Sequence, residues 1–176
     1  MYVNDILALE RDIEEAVERQ VEGNQIERSP EVATLLNEMA VSNATRVSSL
    51  EELSITLGGG AGGVKEAVAA VVGVLAGFYG KVRKHPVSRL LRDDYTALAL
   101  ASTAYAMLYT AAVALHDGHV AAIAHRHLRD VTPLIMRRSQ TIPGTVLAEL
   151  AVDFPDVNRE ADHAGREATI HAWTQE

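Results

Sequence analysis

Apolar side chains recur at steps of three and four along nearly the whole of this chain, the spacing that lines them up on one face of an α-helix. Nowhere do they alternate with period two for long enough to build a sheet, so the pattern dictates an all-α fold. Only Gly58 to Gly63 and Ile142 to Gly144 carry strong internal breakers, and the helices between them must be long. The first is expected from about Asn4, as N-cap, to about Val21, with Val3, Ile6, Ile13, Val17 and Val21 on one stripe. A second starts at Ser29 and Pro30, a capping residue before one suited to a first turn, and runs to Leu57 with Leu36, Met39, Leu50 and Leu53 inward. A third covers Val87 to Leu115, and a fourth runs from His119 to Ser139 after the Asp117-Gly118 turn, kinked at Pro133. An Ala-rich connector helix is expected over Val64 to Arg83, closed by His85-Pro86, and a short apolar helix over Val146 to Phe154 across the end of the bundle. Four long helices joined in this way imply an up-down-up-down antiparallel bundle over residues 1–154. Residues 155–176 read as a polar tail, loosely attached or ordered by a second subunit.

Composition narrows the function classes. The chain has 176 residues, 48% hydrophobic and 23% charged, enough for one domain with a real core. Its formal charge of −8 opposes any extended phosphate-binding surface, so no nucleic-acid partner is expected. There is no cysteine, which removes disulfides, thiolate catalysis and thiolate metal sites and leaves His, Asp and Glu as the metal ligands to consider. The first dozen residues contain acids and no basic start before an apolar run, so a cytoplasmic location is expected. The most apolar stretch, Ala67 to Gly80, is shorter than the roughly 20 residues of a bilayer-crossing helix, and it reads as a buried or interface helix rather than a membrane span. Residues 61–92 are basic, with Lys81, Arg83, Lys84, Arg89 and Arg92, and read as a solvated face or a match for the acidic first helix.

One residue breaks the apolar pattern in a way that points to chemistry. Glu10 falls on the stripe Val3, Ile6, Ile13, Val17, where an unpaired carboxylate is costly and needs a partner from across the bundle. Asn43 sits equivalently on the second helix, and the fourth brings His127 and Asp130 inward between Ile123 and Leu134. A His and an Asp three apart share a helix face, and an inward Glu facing such a pair is one way bundles hold a metal; hydrogen bonds to Tyr105, Tyr109 or His127 would satisfy Glu10 equally well. His116, His119 and His125 flank or follow a turn and read as surface groups. His163, Glu167 and His171 are spaced by four, so adjacent pairs share a face but all three do not reach one ion. The glycine run before Val64-Lys65 lacks the Gly-Lys-Ser/Thr order of a phosphate loop, and no Gly-x-Ser-x-Gly elbow supports a hydrolase.

Leu7-Ala-Leu-Glu10, then Arg46-Val-Ser-Ser-Leu50-Glu51 followed by Leu57-Gly58, an Ala-rich connector and Arg92-Asp93 opening the next helix resemble the ferritin-like stress-associated proteins typified by YciE and YciF. The resemblance is one of layout and covers residues 2–140. It implies a ferritin-like four-helix bundle with a di-iron carboxylate site, one Glu from each of two helices and a Glu-x-x-His pair from the other two. Carried over residue by residue, Glu10 matches the first-helix carboxylate and Asp130 the fourth-helix one, while Glu38 stands in the second-helix region with no His after it. Ala101 to Met107 on the third helix holds neither Glu nor His, so at most Glu10, Glu38, His127 and Asp130 remain as metal ligands where six are ordinarily used. What this implies is a stress-response bundle with a degenerate di-iron site, no catalytic residue and no cofactor, acting by homo-oligomerisation or by binding a protein partner. The alternative is an iron- or manganese-binding carboxylate protein that handles oxygen or peroxide.

Overall fold

The structure, a computed structural model, describes residues 2–23, 29–58 and 86–174. Five helices account for almost all of them: α1 Tyr2–Val21, α2 Pro30–Thr56, α3 Val87–Ala114, α4 Gly118–Asp153 and α5 Ala161–Thr174; no strand occurs among the described residues. The all-α reading of the periodicity therefore holds. The connector helix expected over Val64 to Arg83, with its small-residue face, lies outside the described residues.

α1 packs against α2 and α3, α4 packs against α2 and α3, and α5 lies on α4. Contacts at the helix ends fix their directions. Asn4, near the start of α1, accepts from Ser54 near the end of α2 at 2.8 Å, so these two run antiparallel. Gln20, near the end of α1, donates to Asp94 near the start of α3. Val32 and Leu36 of α2 share a buried apolar cluster with Leu91 of α3, with Val87 and Ile142 against it. At the other end Ser54 and Leu57 of α2 line a cavity of about 320 Å³ with Leu108 and Leu115 of α3. α2 and α3 thus run parallel on one diagonal of the bundle, with every packed neighbour antiparallel. This corrects the up-down-up-down order: the chain goes up, down, down, up, and Gly58 and Pro86 stand at opposite ends, about 40 Å apart by the rise of a 27-residue helix.

The main core is a run of side chains from all four long helices, among them Ile6, Ile13, Val17, Met39, Leu50, Leu53, Leu98, Leu108, Val131 and Leu134, beside the smaller cluster around Leu91. Each large aliphatic contributes about 1.5–3 kcal/mol on burial, which is what holds helices of such mixed composition together. Terminations follow local chemistry. α2 ends at Gly58, whose φ of 76° is the left-handed conformation that glycine adopts without a Cβ penalty. α3 ends in the same way on His116, at φ 59°: its N–H donates to the Val113 carbonyl at 3.1 Å, and the Asp117 N–H to that of Ala112 at 2.9 Å. Asp117 then caps α4, its Oδ1 accepting from the Val120 N–H at 3.0 Å.

Two expected boundaries differ, and one expected cap bond is not made. Helix α1 already begins at Tyr2, so Asn4 lies inside it rather than capping it. Ser29 occupies the N-cap of α2 without making a side-chain cap bond. The break expected at Pro143-Gly144 is absent: α4 runs unbroken through Pro133 and Pro143 to Asp153. The reason at Pro143 is tertiary, because α5 packs there through Gly165, where an added Cβ would stand 2.8 Å from Pro143 Cβ. The segment expected as a tail thus forms a helix along α4, with Trp173 edge-on to Tyr95 at 6.2 Å between ring centres.

Candidate functional site

The middle of the bundle holds a layer of polar side chains built around Glu10. On α2 the steps Met39, Asn43, Arg46, Leu50 are four, three and four, so the same geometry that buries the flanking apolar groups turns an amide and a guanidinium inward. Tyr105 arrives from α3 between Ala101 and Leu108, and His127 from α4 between Ala124 and Val131. Glu10, Asn43, Arg46 and Tyr105 are fully buried, and His127 is 1% exposed.

Every oxygen of Glu10 is engaged. Oε1 accepts from Arg46 Nε at 2.8 Å and from the Tyr105 hydroxyl at 2.7 Å; Oε2 accepts from Arg46 Nη2 at 3.0 Å and from the Asn43 amide. The same amide nitrogen also donates to the Glu10 backbone carbonyl at 3.0 Å. The two-pronged contact of guanidinium and carboxylate is the strong, geometrically specific form of ion pair. Burial works to lower the Arg46 pKa, and attraction and hydrogen bonding to Glu10 outweigh it, leaving it raised. Tyr105 is pushed above the ordinary phenol range, first by burial and then by the Glu10 charge.

His127 completes the layer differently. Its ring lies 5.4 Å from that of Tyr105, and neither of its nitrogens has a hydrogen-bond partner. Burial holds its pKa below the usual 6.5, and the Arg46 guanidinium adds to that. Asp130, the residue expected beside it, is half exposed, with Oδ2 3.8 Å from His127 Nδ1, too long for a hydrogen bond. Glu38 does not reach the layer: it sits at the edge of α2 in an ion pair with Arg137 of α4. Of the four residues expected as metal ligands the structure brings Glu10 and His127 into one layer, leaves Asp130 at its rim and places Glu38 outside it. Among the described residues no group of three or more His, Asp or Glu side chains is placed to hold a metal ion. His163 and Glu167 pair on the outer face of α5, 3.4 Å apart.

A second buried layer, one not foreseen from the sequence, lies toward the other end. Asp94 of α3 and Arg138 of α4 are both fully buried, 3.9 Å apart, and Gln20 of α1 donates to Asp94 at 2.9 Å. Arg138 also reaches the Leu35 carbonyl at 3.3 Å and the Met39 sulfur across α2. The signal was present: Asp94 stands three after Leu91 and four before Leu98, and Arg138 four after Leu134, each on the apolar stripe. Arg46 was legible in the same way.

The Glu10–Arg46 pair is chemically closed. A carboxylate that accepts four hydrogen bonds has its lone pairs occupied, and the cation it faces is a guanidinium, which neither gives up its proton nor leaves a coordination position. Comparison of the chain with protein-family models, with curated proteins and with solved structures finds no match.

Proposed function

We propose that this protein is a ferritin-like bundle without a working di-iron centre, a non-enzymatic protein that acts through its surface by associating with copies of itself or with a protein partner. The observation that carries the reading is the saturation of Glu10 by Arg46, Tyr105 and Asn43, which puts a fixed organic cation beside the carboxylate. The crossed order of the helices, with one long connection between parallel α2 and α3, supports the ferritin-like assignment. A role in stress response is what the resemblance of its sequence layout to the YciE and YciF proteins implies.

The test is elemental analysis of purified protein before and after anaerobic loading with Fe(II) and Mn(II), on the wild type and on Glu10→Ala. The expected outcome is no stoichiometric metal in either protein, with Glu10→Ala altering stability alone. Near-stoichiometric metal in the wild type, lost in Glu10→Ala, would overturn the reading in favour of a carboxylate metalloprotein.

A further inference from the structure

From Tyr95 to Leu115 the chain carries no charged side chain, a run of about 30 Å along α3 in a protein of net charge −8. α3 has the length and apolarity of a membrane-crossing helix, with one third of its most apolar window buried. Its outward face follows steps of three and four through Arg89, Arg92, Thr96, Leu100, Thr103, Met107 and Thr110, all exposed except the half-buried Thr96. Leu100 is 38% and Met107 48% exposed, with Val113 at 51% beside them. Large apolar side chains exposed along an uncharged helix face offer a contact surface.

We propose that this face docks a second copy of the chain, the two α3 helices lying antiparallel about a two-fold axis at Thr103. This deepens the surface-acting reading above and rests on it. Complementarity is the argument. In such a pairing, positions equidistant from Thr103 face one another, so Leu100 of each copy lies over Ala106 of the other and Met107 over Ala99. Each large side chain meets a small one, which is the self-complementarity a two-fold contact needs. The same register sets Arg92 of each copy over Ala114, in the last turn of the other copy's helix.

The helix's own charges point the same way. α3 carries Arg89 in its first turn and no basic residue in its last, the reverse of what its dipole favours. An antiparallel second copy brings Arg89 and the 64%-exposed Arg92 guanidinium to the carbonyl end of the facing helix. A parallel pairing would instead stack arginine on arginine. Two strongly acidic molecules meet with least repulsion along a face that carries no acidic side chain from Tyr95 to Leu115.

The absence of cysteine makes the test direct. Thr103 is exposed and its hydroxyl bonds only within its own helix, to the Ala99 carbonyl, so Thr103→Cys leaves the fold intact. Oxidation with diamide should cross-link Thr103→Cys into a covalent dimer, while the control Thr132→Cys on the exposed side of α4 should stay monomeric. In sedimentation velocity from low to high micromolar protein, Thr103→Arg, which opposes two arginines on the axis, should raise the dimer dissociation constant at least tenfold with its thermal melt unchanged. A wild type that stays monomeric throughout, or equal cross-linking of the two cysteine variants, would overturn the proposal. So would a monomer that co-floats with phosphatidylcholine vesicles, which would assign the face to lipid. Metal bound at Glu10 would refute the reading of the core and leave the cross-linking result standing, so the two failures are distinguishable.

Discussion

Replacing Arg46 by methionine removes the cation from a pair in which both side chains are fully shielded from water. Glu10 is then left buried with Tyr105 and Asn43 as its remaining partners, and breaking a buried pair from one side costs about 3–5 kcal/mol. In a chain of this length each kcal/mol moves the melting temperature by about 2–4 °C, so Arg46→Met should lower Tm by about 10 °C. The companion variant decides whether the cost is the orphaned charge or lost packing. Glu10→Leu combined with Arg46→Met removes both charges, and replacing a buried pair by apolar groups of similar volume is often neutral or better. One donor remains stranded, the Tyr105 hydroxyl, at about 1–3 kcal/mol, whereas Asn43 keeps the Glu10 backbone carbonyl. Adding Tyr105→Phe should therefore bring the triple variant to within about 2 kcal/mol of the wild type. Urea denaturation followed by circular dichroism measures all three. A double variant as unstable as the sum of its single substitutions, or an Arg46→Met protein within about 1 kcal/mol of wild type, would refute the claim that this layer is held by charge pairing.

Four further outcomes are expected. His127 faces Glu10, Arg46 and Tyr105 from other helices and Asp130 and Arg126 on its own; because its folded pKa lies below 6.5, stability is full above that value and falls as pH drops through it toward the folded value, when the unfolded chain takes up a proton the folded one resists. Denaturation midpoints at a series of pH values should fall less steeply for His127→Leu than for the wild type, and parallel curves would contradict this. His116→Gly should raise stability by about 1 kcal/mol by relieving a left-handed non-glycine residue, read as a higher Tm. Glu149 caps the start of α3 by accepting from the Ser88 N–H at 2.9 Å and hydroxyl at 2.6 Å, so Glu149→Ala should cost about 1 kcal/mol and speed amide exchange in the first turn of α3. Gly165→Ala should lever α5 away from Pro143 at a cost of about 1–3 kcal/mol, and limited proteolysis after Phe154 should quicken.

The sequence carried the helices and their faces because the apolar stripes that specify them also build the core: Ile6, Ile13 and Val17 on α1, and Met39, Leu50 and Leu53 on α2, all lie where their spacing puts them. Helix order was not legible. Whether α3 sits beside α2 or diagonal to it depends on contacts such as Leu91 with Val32 and Gln20 with Asp94, which no local pattern encodes. At the site, Glu10, Asn43 and His127 stood out as polar residues on apolar stripes, and Tyr105 as a partner for Glu10. Arg46, Asp94 and Arg138 carried the same signal, and weighing each stripe for charge of both signs would have paired them before any coordinates. Pro143 shows the opposite limit: its local tendency to end a helix yields to the α5 packing that covers it.

The two buried ion pairs follow one scheme. In the first hairpin α1 supplies the acid and α2 the arginine; in the second α3 supplies the acid and α4 the arginine. Each acid is then sealed by a donor from the other hairpin, Tyr105 to Glu10 and Gln20 to Asp94, so α1 and α3 exchange one hydrogen bond in each direction. Each hairpin is neutral at its heart, and that exchange, with the reach of Arg138 to Leu35 and Met39, ties the two buried pairs together. The two hairpins therefore carry matching halves of one recognition surface. Fragments 1–58 and 86–176, expressed separately, should accordingly recognise each other, with Tyr105→Phe and Gln20→Ala weakening their reassociation.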